Sequence, residues 1–156
     1  LVQVLNSGLA QVVKQGTGRT LGKMLPADYQ VAGKTGTTDD TRDSWFAGFS
    51  ASHVGVVWMG VDDNQPTGLS GSSGALLLWG DIFARLPAAS LHFDNSDELE
   101  VHWVNLKERL LTDEGCEGSM QLAFLPGTAP VEFVDCNTGV RSRIEKTVDW
   151  FRRLLH

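Results

Sequence analysis

The spacing of apolar residues predicts a helix at the start of the chain. Its apolar positions are Val2, Leu5, Leu9, Val12 and Val13. They recur mostly at three- and four-residue steps, as one stripe of a helix does. The turn-forming run Gly16-Thr17-Gly18 then ends the pattern.

Three extended segments are predicted after this helix. They cover residues 29–34, 44–50 and 54–61, and polar loops separate them. The third segment is apolar at both alternating positions. We therefore expect a central strand covered on each face, with Trp58 in the core.

A second helix is predicted over residues 75–86, where apolar residues occupy most of the helix surface. The serines within residues 70–73 are candidate N-caps, and Pro87 ends the helix. Such a helix should be largely buried against the sheet, with Trp79 in the core. A sheet with helices before and after it predicts an α/β sandwich, although the pattern does not give the strand order.

The chain changes character after Pro87, where acidic residues gather. We place a boundary near residue 88, which divides the chain into residues 1–87 and 88–156. The second part is expected to be a clamp on the first part, with a small module that binds a partner or the cell wall as the alternative.

Three elements are predicted within the second part. Apolar residues alternate with polar ones over residues 99–105, which indicates a strand. Residues 121–125 and 131–134 flank a loop from Pro126 to Pro130 and are predicted to form a hairpin. An amphipathic helix is predicted over residues 141–155.

Composition narrows the function classes. With 156 residues, of which 42% are apolar and 21% charged, the chain is long enough for one or two compact units. A net charge of −6 argues against a nucleic-acid partner, because such binding usually needs a clustered basic patch. The basic residues within 141–153 have acidic neighbours and are interpreted as a solvated helix face. No apolar run approaches the roughly 18 residues of a membrane span, and the 4 histidines form no pair spaced for a metal site.

Two cysteines, Cys116 and Cys136, allow one disulfide. The bridge is expected in an oxidising compartment and two free thiols in cytosol. The two positions are offset from direct cross-strand register, so the bridge requires the segment from Cys116 to Ser119 to fold back.

The run Lys34-Thr35-Gly36-Thr37 carries the clearest chemistry. Acyl transfer by a serine needs donors for the developing oxyanion and a means of holding the substrate in line. Gly36 lets a substrate backbone lie close to a strand edge, and Thr37 offers a backbone N–H to an oxyanion and a hydroxyl to a carboxylate. Lys34 adds a positive charge for that carboxylate. The four residues alone fit equally well an exposed lysine on a strand that enters a Gly-Thr turn.

Five blocks in a fixed order carry a family resemblance. They are Gly16-Thr17-Gly18-Arg19, residues 31–38 with the Lys34 motif, Asp43-Ser44-Trp45-Phe46-Ala47-Gly48, residues 58–66, and Gly71-Ser72-Ser73-Gly74-Ala75. Lys-Thr-Gly is the third signature of the serine acyltransferases that react with penicillin. Together the blocks resemble the end of the transpeptidase domain of class A penicillin-binding proteins, most closely the penicillin-binding protein 1b type. The resemblance covers roughly residues 1–87.

The resemblance implies the α/β fold of penicillin-binding-protein transpeptidases and serine β-lactamases. This chain would hold its C-terminal portion, with antiparallel strands and flanking helices, followed by a small α+β tail. Lys34 would be the catalytic residue of the third motif, and Thr35, Gly36 and Thr37 would bind substrate. The block from Asp43 to Gly48 would be a supporting strand, with packing rather than catalytic roles.

The resemblance also implies a bifunctional peptidoglycan synthase. Such a protein is anchored in the bacterial inner membrane by an N-terminal helix, which this chain does not contain. Its glycosyltransferase polymerises lipid II, and its periplasmic D,D-transpeptidase crosslinks stem peptides through a serine acyl-enzyme that β-lactams also form. The implied partners are the remainder of the parent chain, stem peptides with their glycan, β-lactams and an outer-membrane lipoprotein activator. Transpeptidation implies no cofactor; a divalent metal would concern only the glycosyltransferase domain, which this chain lacks.

The chain departs from the family pattern in one respect. It contains no Ser-x-x-Lys and no Ser-x-Asn. Thr20-Leu21-Gly22-Lys23 has nucleophile-like spacing, but it falls where the family has a connecting segment and is interpreted as a coincidence. We therefore expect a C-terminal fragment that has no acyl-transfer activity alone. The alternatives are a relative of the D,D-carboxypeptidases or β-lactamases, or a non-catalytic module that binds a partner.

Overall fold

A computed structural model of the chain describes residues 1–92, 99–139 and 141–143, the last three by their backbone alone. The chain divides into two compact units, Val2–Asp94 and Asn95–His156. The predicted boundary near residue 88 lies shortly before this division.

The first unit contains two α-helices and a three-stranded antiparallel sheet. Its elements are α1 (Val2–Lys14), β1 (Ala32–Thr37), β2 (Ser44–Phe49), β3 (Val54–Met59) and α2 (Ala75–Phe83). The strand order is β1-β2-β3, and short 3₁₀ turns lie at Arg19–Lys23 and Asp39–Thr41. The predicted order of helix, three strands and helix is confirmed.

The core of this unit lies between α2 and one face of the sheet. Trp79 and Phe46 are fully buried and meet edge to face, with ring centroids 5.1 Å apart. Trp79 also stacks on Phe83 with centroids 3.6 Å apart. Gly55 on β3 admits this pair, because a Cβ there would lie 2.8 Å from the Phe83 ring. The prediction that Trp79 is a core residue is confirmed.

Strand β3 is an edge strand of the described sheet, so the prediction of a central strand is wrong. Its side chains alternate: Val57 and Met59 pack on the core, whereas Val56 is 61% and Trp58 47% exposed. The reason is that α2 packs against only one face of the strand. The prediction that Trp58 lies in the core is therefore also wrong.

Helix α2 differs from its prediction in coverage and in capping. Three of its apolar residues face outward, namely Leu77, Leu78 and Ile82. Only one side of the helix is buried, since a single sheet face meets it. No side chain at its own N-cap position, Gly74, caps it. The Ala75 N–H instead donates to the Ser44 hydroxyl on β2 at 2.8 Å, so the cap comes from the sheet.

The second unit is built on a five-stranded sheet. Its strands are β4 (Glu100–Asn105), β5 (Leu110–Leu111), β6 (Ser119–Phe124), β7 (Glu132–Val134) and β8 (Arg141–Arg143). They lie in the order β6-β4-β5-β7-β8. β4 confirms the strand predicted from alternation over residues 99–105.

The predicted hairpin between residues 121–125 and 131–134 is wrong. β6 pairs with β4 along its whole length, and β7 pairs with β5 in parallel and with β8. Two strands of equal length can form a complete ladder, whereas the three-residue β7 offers β6 only half of one. The connection after β6 therefore passes β4 and β5 and reaches the position next to β5, where β7 lies.

The predicted helix over residues 141–155 does not begin at Arg141, because Arg141–Arg143 is strand β8, paired with β7. This pairing satisfies backbone groups that a helix would bond internally. The rest of that prediction lies outside the described residues.

Cys116 and Cys136 are joined by a disulfide, with their Cα atoms 5.8 Å apart. The Ser119 N–H donates to the Cys116 carbonyl at 3.0 Å, so this segment folds back as the bridge requires. The disulfide links the connection before β6 to the connection after β7.

Candidate functional site

The Lys34 motif lies at an edge of the first unit's sheet. Lys34, Thr35, Gly36 and Thr37 form the C-terminal part of β1. β2 pairs with one edge of β1, and within the described part of the chain no strand pairs with the other. An open strand edge offers main-chain groups to which an extended peptide can add. The placement on a strand agrees with the sequence prediction.

Alternation divides the motif between the two faces of the sheet. Thr35 stands opposite the buried Phe46, which places the two threonines on the same face of the sheet as Phe46. Lys34 stands opposite Ala47 and shares the other face with Trp45, which is 42% exposed. The motif therefore presents its charge and its hydroxyls on different sides of one edge.

The Lys34 side chain is exposed, and its Nζ donates to the Thr35 carbonyl at 2.9 Å. This single neutral acceptor leaves other donors of the ammonium free to face solvent or a ligand. The position fits a group that meets an anion at the strand edge.

The two threonine hydroxyls are held from outside the strand. Thr35 Oγ1 lies 2.7 Å from Thr17 Oγ1, in the turn after α1. Thr37 Oγ1 accepts the Gly71 N–H at 2.8 Å, from the loop before α2. Thr17 and Gly71 belong to the blocks that carry the resemblance, but sequence reasoning assigned neither a role. Contacts between residues so far apart in the chain leave no periodic signal.

The segment Thr20-Leu21-Gly22-Lys23 belongs to the 3₁₀ turn at Arg19–Lys23. Leu21 is fully buried and is part of the hydrophobic core. The segment thus has a packing role, which agrees with its interpretation as a coincidence.

Comparisons with known proteins give the family. No protein-family model matches the chain. Penicillin-binding protein 1B of Haemophilus influenzae is 40% identical over 100 residues, which are 64% of this chain and 12% of that protein. Penicillin-binding protein 1B of Escherichia coli is 37% identical over 114 residues, and penicillin-binding protein 1A of Aquifex aeolicus is 40% identical over 129. These matches fit a fragment of a class A penicillin-binding protein.

The chain matches only a small part of each of these penicillin-binding proteins. The alignment with the E. coli protein spans 73% of this chain but 13% of that protein. The alignment with the A. aeolicus protein spans 78% of this chain but 17% of that protein. Both alignments are longer than the 87 residues to which the resemblance was assigned. The similarity to these penicillin-binding proteins therefore extends beyond residue 87.

A solved structure confirms the penicillin-binding-protein fold. The crystal structure of penicillin-binding protein 1A from Haemophilus influenzae matches 81% of this chain and 20% of that chain, with a TM-score of 0.61. The identity is 24%, so the match establishes the fold alone. Among the residues described, no helix is long and apolar enough to cross a bilayer.

Proposed function

We propose that this chain supplies the substrate-binding strand of a D,D-transpeptidase, as a segment of a longer bifunctional peptidoglycan synthase. The parent protein would act at the periplasmic face of the inner membrane and would be inhibited by β-lactams. The observation that carries the proposal is the position of Lys34 to Thr37 on an open strand edge, with exposed Lys34 and Thr37 side chains. The names of the similar proteins support the same reading.

In this proposal the strand holds the substrate, and the nucleophile comes from elsewhere in the parent. A stem peptide lies along the open edge of β1, where Gly36 keeps the approach clear of side chains. The Thr37 hydroxyl holds the terminal carboxylate, the Lys34 ammonium adds its positive charge from the other face of the strand, and the Thr37 N–H assists the oxyanion. A serine of the parent attacks the D-Ala-D-Ala carbonyl, D-alanine leaves, and an amine of another strand takes the acyl group.

Labelling with a fluorescent penicillin tests whether the nucleophile lies outside this chain. The full-length parent protein and the isolated chain of 156 residues are treated side by side. We expect covalent label on the parent only. Label on the isolated chain would contradict an external nucleophile, and an unlabelled parent would favour a non-catalytic module.

Substitution of Lys34 tests the motif itself. In the parent, Lys34→Ala should slow acylation by on the order of a hundredfold or more, because the positive charge beside the reacting carbonyl is lost. Lys23→Ala is the matched control: Lys23 is also exposed and lies at the end of the Arg19–Lys23 turn. Equal rates for the two variants would remove Lys34 from the mechanism.

Product analysis identifies the acceptor. A transpeptidase forms crosslinked peptide from stem peptides when a donor and an amine acceptor are present. A carboxypeptidase or β-lactamase relative would release D-alanine or opened β-lactam to water without a crosslink, and that outcome would replace the proposed reaction.

A further inference from the structure

The hydrogen of the Thr37 hydroxyl is available to a ligand. A threonine hydroxyl has one hydrogen to donate and two lone pairs to accept with. The Gly71 N–H occupies a lone pair of Thr37 Oγ1 at 2.8 Å. No acceptor for the hydroxyl hydrogen is found in the described part of the chain, and the Thr37 side chain is exposed. The hydrogen is therefore directed away from Gly71 and is available to a ligand that accepts hydrogen bonds.

Gly71 reaches Thr37 because it has no side chain. A Cβ at this position would lie 2.6 Å from the Gly36 carbonyl oxygen and 2.7 Å from the Trp45 carbonyl oxygen. Real Cβ atoms essentially never come so close to backbone atoms. Any larger residue would push the loop away from β1 and β2 and would withdraw the N–H from Thr37.

Ser44 holds the loop on both sides of Gly71. Its hydroxyl donates to the Ser70 carbonyl at 2.7 Å and accepts the Ala75 N–H at 2.8 Å. Ser44 is fully buried, and in the sheet it stands directly opposite Thr37. One buried side chain thus fixes the loop next to the strand residue that the loop contacts.

We propose that Ser44 and Gly71 are positioning residues that orient the Thr37 hydroxyl as a hydrogen-bond donor to the ligand carboxylate. The inference rests on the proposed function and deepens it, because it assigns carboxylate selectivity to a pair of residues outside the motif. A hydroxyl held in this way favours an anionic acceptor over an ester, which carries no charge.

The test compares two ligands that differ only in the carboxylate. The full-length parent protein is acylated by a penicillin and by its methyl ester, and both second-order rate constants are measured. We expect Ser44→Ala and Gly71→Ala to slow acylation by the acid about tenfold, as for one lost hydrogen bond to a charged group. Acylation by the ester should change less than about twofold, which also shows that the variants are folded.

Ser50 provides the matched control. It is a buried serine just after β2, at the far end from Ser44, and its hydroxyl accepts the His53 N–H at 3.2 Å. Ser50→Ala removes the same atom from a similarly buried site and should leave the ratio of acid to ester rates unchanged. An equal loss of that ratio in Ser50→Ala would make the effect generic and would overturn the proposal.

A double substitution tests whether Ser44 acts on the acylation rate through Thr37. If Ser44 acts through Thr37, adding Ser44→Ala to Thr37→Val should not lower the ratio of acid to ester rates further. Additive losses would overturn the proposal, and so would an unchanged ratio in both single variants. Each of these results leaves acylation of the parent in place, whereas a parent that neither ligand acylates refutes the proposed function itself.

Discussion

Trp58 donates its indole N–H to Asp43 Oδ1 over 2.8 Å, from β3 to the residue before β2. The other carboxylate oxygen of Asp43 accepts from the Thr38 hydroxyl at 3.0 Å, and the Asp43 N–H donates back to that hydroxyl at 2.8 Å. Asp43 therefore closes the loop that follows the Lys34 motif and ties it to the far strand of the sheet.

We expect Asp43→Ala to lower the free energy of unfolding by about 1 kcal/mol, because the indole and hydroxyl donors lose a charged acceptor but remain open to water. Urea unfolding of the chain, followed by circular dichroism, measures the change. Asp39→Ala removes an exposed carboxylate from the same loop. Its free energy of unfolding should stay within about 0.5 kcal/mol of that of the unsubstituted chain. Equal losses would show that the Trp58 bond does not stabilise the loop.

In the first unit, local patterns predicted which segments are strands and helices, but not which faces are covered. The apolar run over residues 54–61 correctly indicated β3, yet it could not show that α2 packs on only one of its faces. Trp79 and Trp58 both lie in apolar runs; one is fully buried and the other 47% exposed. Coverage depends on partners that lie elsewhere in the chain, and single-segment periodicity contains no information about them.

In the candidate site, too, the sequence revealed local features but not contacts between distant residues. The motif on β1 could be recognised in the sequence because four adjacent residues carry its chemistry. Ser44 and Gly71 were not, because their contacts with the loop and with Thr37 join positions far apart in the chain. The hairpin prediction failed for a related reason: a turn-rich run of residues 126–130 predicts a reversal, but β4 and not β7 matches the length of β6.

Gly55 tests the packing of α2 on the sheet. A Cβ there would lie 2.8 Å from the Phe83 ring and 2.9 Å from Trp79 Nε1, which donates to the Gly55 carbonyl. We expect Gly55→Ala to lower the free energy of unfolding by about 1–3 kcal/mol through overpacking. Thermal or urea unfolding of the chain measures the loss. A neutral result would mean that the stacked ring pair can move aside without cost.

Gly8→Ala is the matched control for this substitution. Gly8 lies within α1, and nothing stands within 4 Å of a Cβ added there. The same change should therefore raise the free energy of unfolding by about 0.5–1 kcal/mol through helix propensity. Opposite signs for the two glycines would show that local space, and not loss of glycine flexibility, decides the outcome.

The disulfide should stabilise the second unit and leave the first unchanged. The bridged residues are separated by 20 positions. By the chain-entropy estimate, loss of the bridge lowers the free energy of unfolding by about 3 kcal/mol. In a Cys116→Ala and Cys136→Ala double variant, amides of β6 and β7 should exchange hydrogen faster, whereas amides of β1 and β2 should not. Reductant should reproduce this pattern in the original chain and have no effect on the variant. Uniform protection with and without the bridge would contradict the prediction.

The turn after β7 should show an acid-dependent contribution from Asp135. The Asn137 N–H donates to Asp135 Oδ1 and the Thr138 hydroxyl to Oδ2, each at 2.8 Å, and these bonds hold the pKa of the carboxyl below its ordinary value. Because the folded pKa is the lower one, the stabilisation is complete above the pKa of an unfolded aspartate and is lost as the pH falls through the folded pKa.

Carboxyl chemical shifts measured by NMR should give a pKa for Asp135 below that of an unfolded aspartate. Thr138→Val should move it upward, since one of the two side-chain oxygens loses a donor. Asp135→Asn should abolish the acid-dependent change in exchange of the Asn137 amide. A pKa at or above the unfolded value would contradict the bonding described for this turn, and a Thr138→Val pKa equal to the original would show that the Thr138 hydroxyl does not contribute to the lowering.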